Sequence, residues 1–185
     1  MNMKSKIYWA AAAACLFCSA SPLLAAFDTF LVIPGMPGES TDAEFPNSVE
    51  LSAFSEGIAN AITVVPSGVV SNTPALGTIT FTKAVDKTSP LLYLACAQGT
   101  QLQNPVVFYF RKVVAGNTNL FYSVTLSNVW VKSVQSSSSS GGASLSENVA
   151  LTCGQIQWSY SAQNTDGSYQ TPIVHSWNAQ TGTGN

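Results

Sequence analysis

Two long segments in the second half of this chain cannot be flat strands. In Leu120 to Val134, Tyr122, Val124 and Leu126 share one parity, whereas Val129 and Val131 share the other. In the same way Val149, Leu151 and Cys153 give way to Ile156, Trp158 and Tyr160. Successive side chains of a strand point to opposite faces, so one extra residue is needed to return both sets to one face. Bulges near Ser127-Asn128 and Gly154-Gln155 would supply it, and bulges bend strands and strengthen their twist. Two of them in adjacent strands predict a curved sheet that closes on itself.

The flanking segments are also mainly β. Phe27 to Ile33 predicts a first strand, stopped by Pro34-Gly35 and Pro37-Gly38, and Val49 to Phe54 a second, closed near Gly57. Ile58 to Val65 reads as a third, and the Pro/Gly/Ser/Asn-rich stretch Pro66 to Leu76 as a surface loop. Ile79 and Phe81 alternate with threonines, the pattern of a half-buried strand. One helix interrupts the strands: Ser89 is placed to cap it, Pro90 suits its first position and Gly99 its end. Leu91, Leu92, Leu94 and Ala95 give this helix an apolar face, and so short a helix must be held by packing on the sheet. Ala115 to Asn119 predicts a hairpin loop and Ser136 to Ser146 a flexible tract. Pro172 to Asn178 predicts a last strand before a frayed polar tail.

Residues 1–26 stand apart. Lys4 and Lys6 precede an apolar run from Ile7 to Phe17, and Leu24-Ala25-Ala26 offers a cleavage site before Phe27, the layout of a signal peptide. The run is shorter than the ~20 residues that span a bilayer, which argues against a stable membrane span. A lipoprotein signal acylated at Cys15 would want Leu where Ala12 stands. Residues 27–185 are then a single domain large enough for a sizeable core. That part holds five basic and nine acidic residues, a net charge of −4, which excludes a strongly basic nucleic-acid binder. Six acids and no base fall between Phe27 and Thr82, while all five bases lie from Lys83 to Lys132. Such segregation either orients subunits in an assembly or is scattered solvated charge.

Catalysis needs convergent groups, and few are present. His175 is the one histidine and alternates with Ile173 and Trp177, which favours a structural role. No serine occupies a G-x-S-x-G turn, and two cysteines with one distant histidine give no tetrahedral zinc pattern. The reading is no enzyme, no catalytic, cofactor-binding or metal residues, and no cofactor. Cys96 on the helix and Cys153 at an inward strand position are an even pair in an apparently exported chain. They are either a disulfide closing a roughly 56-residue loop, worth ~4 kcal/mol in the chain-entropy picture, or two buried free thiols.

Three segments together, IPGMPGESTDAEFPNSVELSAFSEG, FTKAVDKTSPLLYLACAQG and ENVALTCGQIQWSY, resemble the Hcp family, the tube proteins of the bacterial type VI secretion system. The resemblance rests on Phe81, Ser89-Pro90, Leu91 to Cys96, Gly99, Leu126, Glu147, Val149 and Leu151, and covers nearly everything after residue 27. It implies two curved antiparallel sheets forming a β-barrel or sandwich with one short α-helix packed against it. It also implies a secreted homo-oligomer, a hexameric ring with a central channel, possible stacking into tubes, and contacts with secretion-tip proteins and small effectors in the lumen. Pro34 to Pro46 and Pro66 to Leu76 match the family's extended elements. Family members commonly carry a cysteine at the Cys96 position and usually an aromatic residue at the Cys153 position, so the second cysteine departs from the pattern alongside the leader. The alternative is an exported periplasmic or extracellular module of the same fold that is not part of a tube.

Overall fold

A computed structural model describes residues 27–71, 74–114, 117–138 and 145–185. The expected leader and cleavage site, residues 115–116 of the expected hairpin loop and residues 139–144 of the Ser/Gly tract lie outside these, whereas residues 117–119, expected in that loop, begin a strand. Thirteen strands and one helix follow in order: β1 Phe27–Val32, β2 Val49–Ser55, β3 Ile58–Ala59, β4 Ile62–Val65, β5 Gly68–Ser71, β6 Ala75–Leu76, β7 Ile79–Ala84, α1 Ser89–Gln98, β8 Gln101–Leu102, β9 Val106–Val114, β10 Asn117–Ser137, β11 Ser146–Tyr160, β12 Ile173–Asn178 and β13 Thr183–Gly184.

The sheet runs β11-β7-β2-β1-β9-β10, and β10 pairs back onto β11, so six antiparallel strands close into a barrel. The curved antiparallel sheets and barrel implied by the family resemblance are present as one continuous sheet that closes on itself. Strand β11 is long enough to pair with β7 through Ser146–Leu151 and with β12 through Gln155–Tyr160. Phe81, Phe108, Leu31, Val124, Leu126 and Leu151 fill the barrel, and α1 adds Leu92 and Ala95 to the same cluster.

Curvature is introduced differently from the sequence expectation. The parity change in β10 and β11 occurs where predicted, at Asn128 and Gly154, yet the register is the same on both sides of it. Asn128 adopts φ 54° instead, and the two strands turn their faces over together. A methyl group on Gly154 would lie 3.1 Å from the Asn128 side chain, so any larger residue there would have to push its neighbours back by a few tenths of an ångström. Register shifts fall elsewhere, between Val131 and Ser133 in β10, between Leu120 and Tyr122 against β9, and between Leu51 and Ala53 in β2.

The helix also departs in detail. Thr88 occupies the N-cap without a side-chain capping bond, its hydroxyl donating to Asp86 instead, Ser89 is the first helical residue, and Gly99 ends the helix at φ 62°. Leu92 and Ala95 are buried, whereas Leu91, Tyr93 and Leu94 face outward, so the apolar positions surround the helix and do not form one face. The tail does not fray: β13 pairs with β12, and Asn185 bonds Ser176.

Between β1 and β2 the chain folds over the outside of the barrel. Phe45 stacks on Phe30 at 4.8 Å and meets Tyr109 at 4.9 Å. Gly38 approaches the returning strand so closely that an added Cβ would sit 2.2 Å from the Ser48 carbonyl oxygen. Gly38→Ala is therefore expected to destabilise the fold by about 1–3 kcal/mol, read as a lower urea midpoint.

Candidate functional site

The most exposed apolar surface lies on an arm between β2 and β7. The sequence predicts a strand to Val65 followed by a loop. The structure instead folds that loop back as the returning half of a hairpin, with Val64 opposite Val69 and Ile62 opposite Ser71. At the root, Ile58 pairs with Leu76 and Ala59 with Ala75. The short β-prone run Val69-Val70-Ser71 is hidden among Pro66, Gly68 and Pro74, which read as loop punctuation. Ile62, Val64 and Val69 are 60%, 79% and 67% exposed. No charged residue occurs from Gly57 to Thr82. An uncharged β-ribbon presenting branched side chains to water is a surface shaped for contact with protein.

At the root of the arm stands Glu56. Its carboxylate accepts hydrogen bonds from the Tyr122 hydroxyl at 2.9 Å and from the Trp158 indole N–H at 3.2 Å. Burial and the Glu56 carboxylate both raise the Tyr122 pKa above its usual value. The Cys153 thiol, on the same part of β11, is pushed up to about 11, first by burial and then by Glu56. It is therefore a weak nucleophile at neutral pH.

A second cluster joins the helix to the barrel. Lys83 shares the inward parity of Ile79 and Phe81, and Glu147 that of Val149 and Leu151. The β7–β11 register sets these two residues opposite one another. The Lys83 ammonium lies 3.1 Å from the Glu147 carboxylate and 2.7 Å from that of Asp86, with both Lys83 and Glu147 only 1% exposed. Ser89 donates to Glu147 at 2.7 Å and accepts from Lys83, and Ser136 bonds the other Glu147 oxygen and the Tyr93 hydroxyl. Burial works against the Asp86 carboxylate, but hydrogen bonds from Lys83 and Thr88 more than offset it and hold its pKa below 3.8.

On the outer face, Arg111 binds Asp42 through both terminal nitrogens, at 2.8 and 2.7 Å, and Asp28 at 2.8 Å. Its guanidinium lies 4.8 Å over the Phe30 ring. The hydrogen bond from Arg111 takes the Asp42 carboxyl down to about 2. Lys132 reaches Thr78, and Lys112 lies 4.3 Å over the Phe121 ring. Four of the five segregated bases thus make contacts within the chain: Lys83 meets Asp86 and Glu147, and Arg111 meets Asp28 and Asp42. Inward parity of Lys83 and Glu147 was the signal that could have revealed the first cluster. Arg111 carried no such signal, because its partners come from a loop fold.

Of the sequence-derived candidates, Cys96 and Cys153 are both half-buried thiols packed against the core. His175 is exposed, with Nδ1 2.8 Å from the Asn185 carbonyl oxygen. Among the described residues no group of His, Cys, Asp and Glu is arranged to hold a metal ion, and no helix is long and apolar enough to cross a membrane.

Residues 30–160 match the family model described as "Type VI secretion system effector, Hcp". The chain is 30% identical to Protein hcp1 of Pseudomonas aeruginosa over 155 residues, which is 83% of this chain and 95% of that protein. Its fold is similar to the solved structure of a type six secretion system protein, with TM-score 0.78, 24% identity, and coverage of 86% of this chain and all of that one. It is also similar to Hcp1 from Salmonella typhimurium, with TM-score 0.67, 22% identity, and 86% and 99% coverage.

Proposed function

Because this chain belongs to the Hcp family of type VI secretion system proteins, we propose that it is a tube-type secreted subunit that joins copies of itself into hexameric rings. The family is one of structural secretion proteins, and the work of such a protein is done by surfaces between copies. The observation that carries this reading is the arm: Ile62, Val64 and Val69 face water on a ribbon without a single charge. Branched apolar side chains gain free energy at ~25 cal/mol per Å² when a neighbour covers them. A low overall charge, 9% of residues, keeps the cost of desolvating the surrounding surface small. A ring of such subunits encloses a channel in which small effectors can travel.

Val64→Lys places a charge at the centre of the apolar ribbon. Sedimentation velocity of the purified protein is expected to show self-association weakened by about tenfold or more, since burying an unpaired ammonium costs several kcal/mol. Unchanged association would remove the arm from the interface, and a wild-type chain that stays monomeric at high concentration would end the ring reading.

The leader supports a second reading, an exported module of the same fold that acts outside a tube. Cleavage of residues 1–26 before Phe27 leaves 27–185 as the working domain, and the mass of the N-terminal peptide decides between export and an intact chain. In the exported chain Cys96 and Cys153 are proposed to pair. Two free thiols in the denatured, unreduced protein would end that pairing.

A further inference from the structure

The arm leaves the barrel through a joint that has little backbone to hold it. The β2–β7 ladder ends at Ser55 opposite Thr80, and the arm's own ladder begins at Ile58 opposite Leu76. Between them lie Gly57 and Gly77, linked by one hydrogen bond from the Gly77 N–H to the Gly57 carbonyl at 2.8 Å. A side chain on Gly77 would meet that carbonyl at 2.8 Å, so the close crossing excludes one. Two glycines side by side, with no side chains to pack, form a pliable hinge.

Glu56 sits one residue before this hinge and ties it to two other strands, through Tyr122 of β10 and Trp158 of β11. It has no ion-pair partner among the described residues. A half-buried carboxylate satisfied by two neutral donors, with no cation beside it, is an expensive arrangement on the rim of a barrel. We infer that Glu56 is a positioning residue: by clasping Tyr122 and Trp158 it sets the direction in which the arm leaves the barrel, and so how the apolar ribbon is presented to a second copy. The second half of this inference rests on the arm being the contact between copies.

Hydrogen–deuterium exchange of the full chain, at a concentration low enough to keep it dispersed, tests the clasp directly. In Glu56→Ala, amides from Ile58 to Leu76 are expected to exchange about tenfold faster, because hydrogen bonds to a charged acceptor are among the stronger ones. Amides of β9, β10 and β11 keep their wild-type rates. Tyr122→Phe, which removes one donor and keeps the ring, moves the arm amides in the same direction by less, and supplies the test if Glu56→Ala does not fold. Exchange that rises equally throughout the barrel, or not at all in the arm, overturns the inference, since a merely stabilising residue acts on the whole sheet. Sedimentation of the same variants separates the two proposals. Faster arm exchange with weakened self-association supports both. Faster arm exchange with unchanged self-association keeps the clasp and removes the arm from the interface.

Discussion

Lys83→Met is expected to lower the unfolding free energy by about 3–5 kcal/mol, the usual cost of removing one member of a buried ion pair. The loss comes less from the missing attraction than from Glu147, a side chain only 1% exposed that is left with just the Ser89 and Ser136 hydroxyls as donors. Because Lys83 also holds Asp86 and Ser89, the substitution releases the turn into α1 as well. The companion variant Lys83→Met with Glu147→Leu removes both charges and is expected to recover most of the loss. Urea unfolding followed by tryptophan fluorescence measures both. A single-variant loss under about 1 kcal/mol would mean that water reaches the pair, as it does at exposed ion pairs. The cluster also has a pH signature. The Asp86 pKa is lowered below 3.8 in the folded state, so its contribution is complete above that value and is lost as pH falls through the folded pKa. Acid should therefore weaken the wild type below about pH 4, and Lys83→Met should show less of that dependence.

Phe108→Ala should cost about 3–5 kcal/mol for a different reason, the cavity left by a large ring in a closed core. Phe108 is fully buried and lies 4.7 Å from the Phe54 ring and 5.8 Å from that of Phe81. Its neighbours belong to strands closed on themselves by hydrogen bonds, so they cannot collapse far into the space. Phe108→Leu retains most of the volume and should lose less than half as much. Equal losses in the two variants would show that aromatic contacts, and not the volume filled, set the cost. The pair is measured by the same urea titration.

The periodicity of the chain carried much of this architecture. The parity changes at Asn128 and Gly154 were visible, and they do mark where β10 and β11 turn their faces. Lys83 and Glu147 were legible in principle, since each interrupts an inward apolar series. The arm was half legible: β4 appeared as a strand, while β5 was masked by its Pro and Gly neighbours. The Arg111 cluster and the Glu56 clasp were not legible, because each joins residues separated by 66 to 102 positions that no periodicity relates.

Local alternation and turn chemistry, then, were enough to specify a mainly β chain with one Gly-terminated helix, because side-chain direction in a strand depends only on parity. Which strands became neighbours, and therefore which charges met, was decided only when the sheet closed. Register is a property of pairs of strands: it brought Glu147 opposite Lys83, carried Tyr122 and Trp158 to the root of the arm, and left Ile62, Val64 and Val69 uncovered.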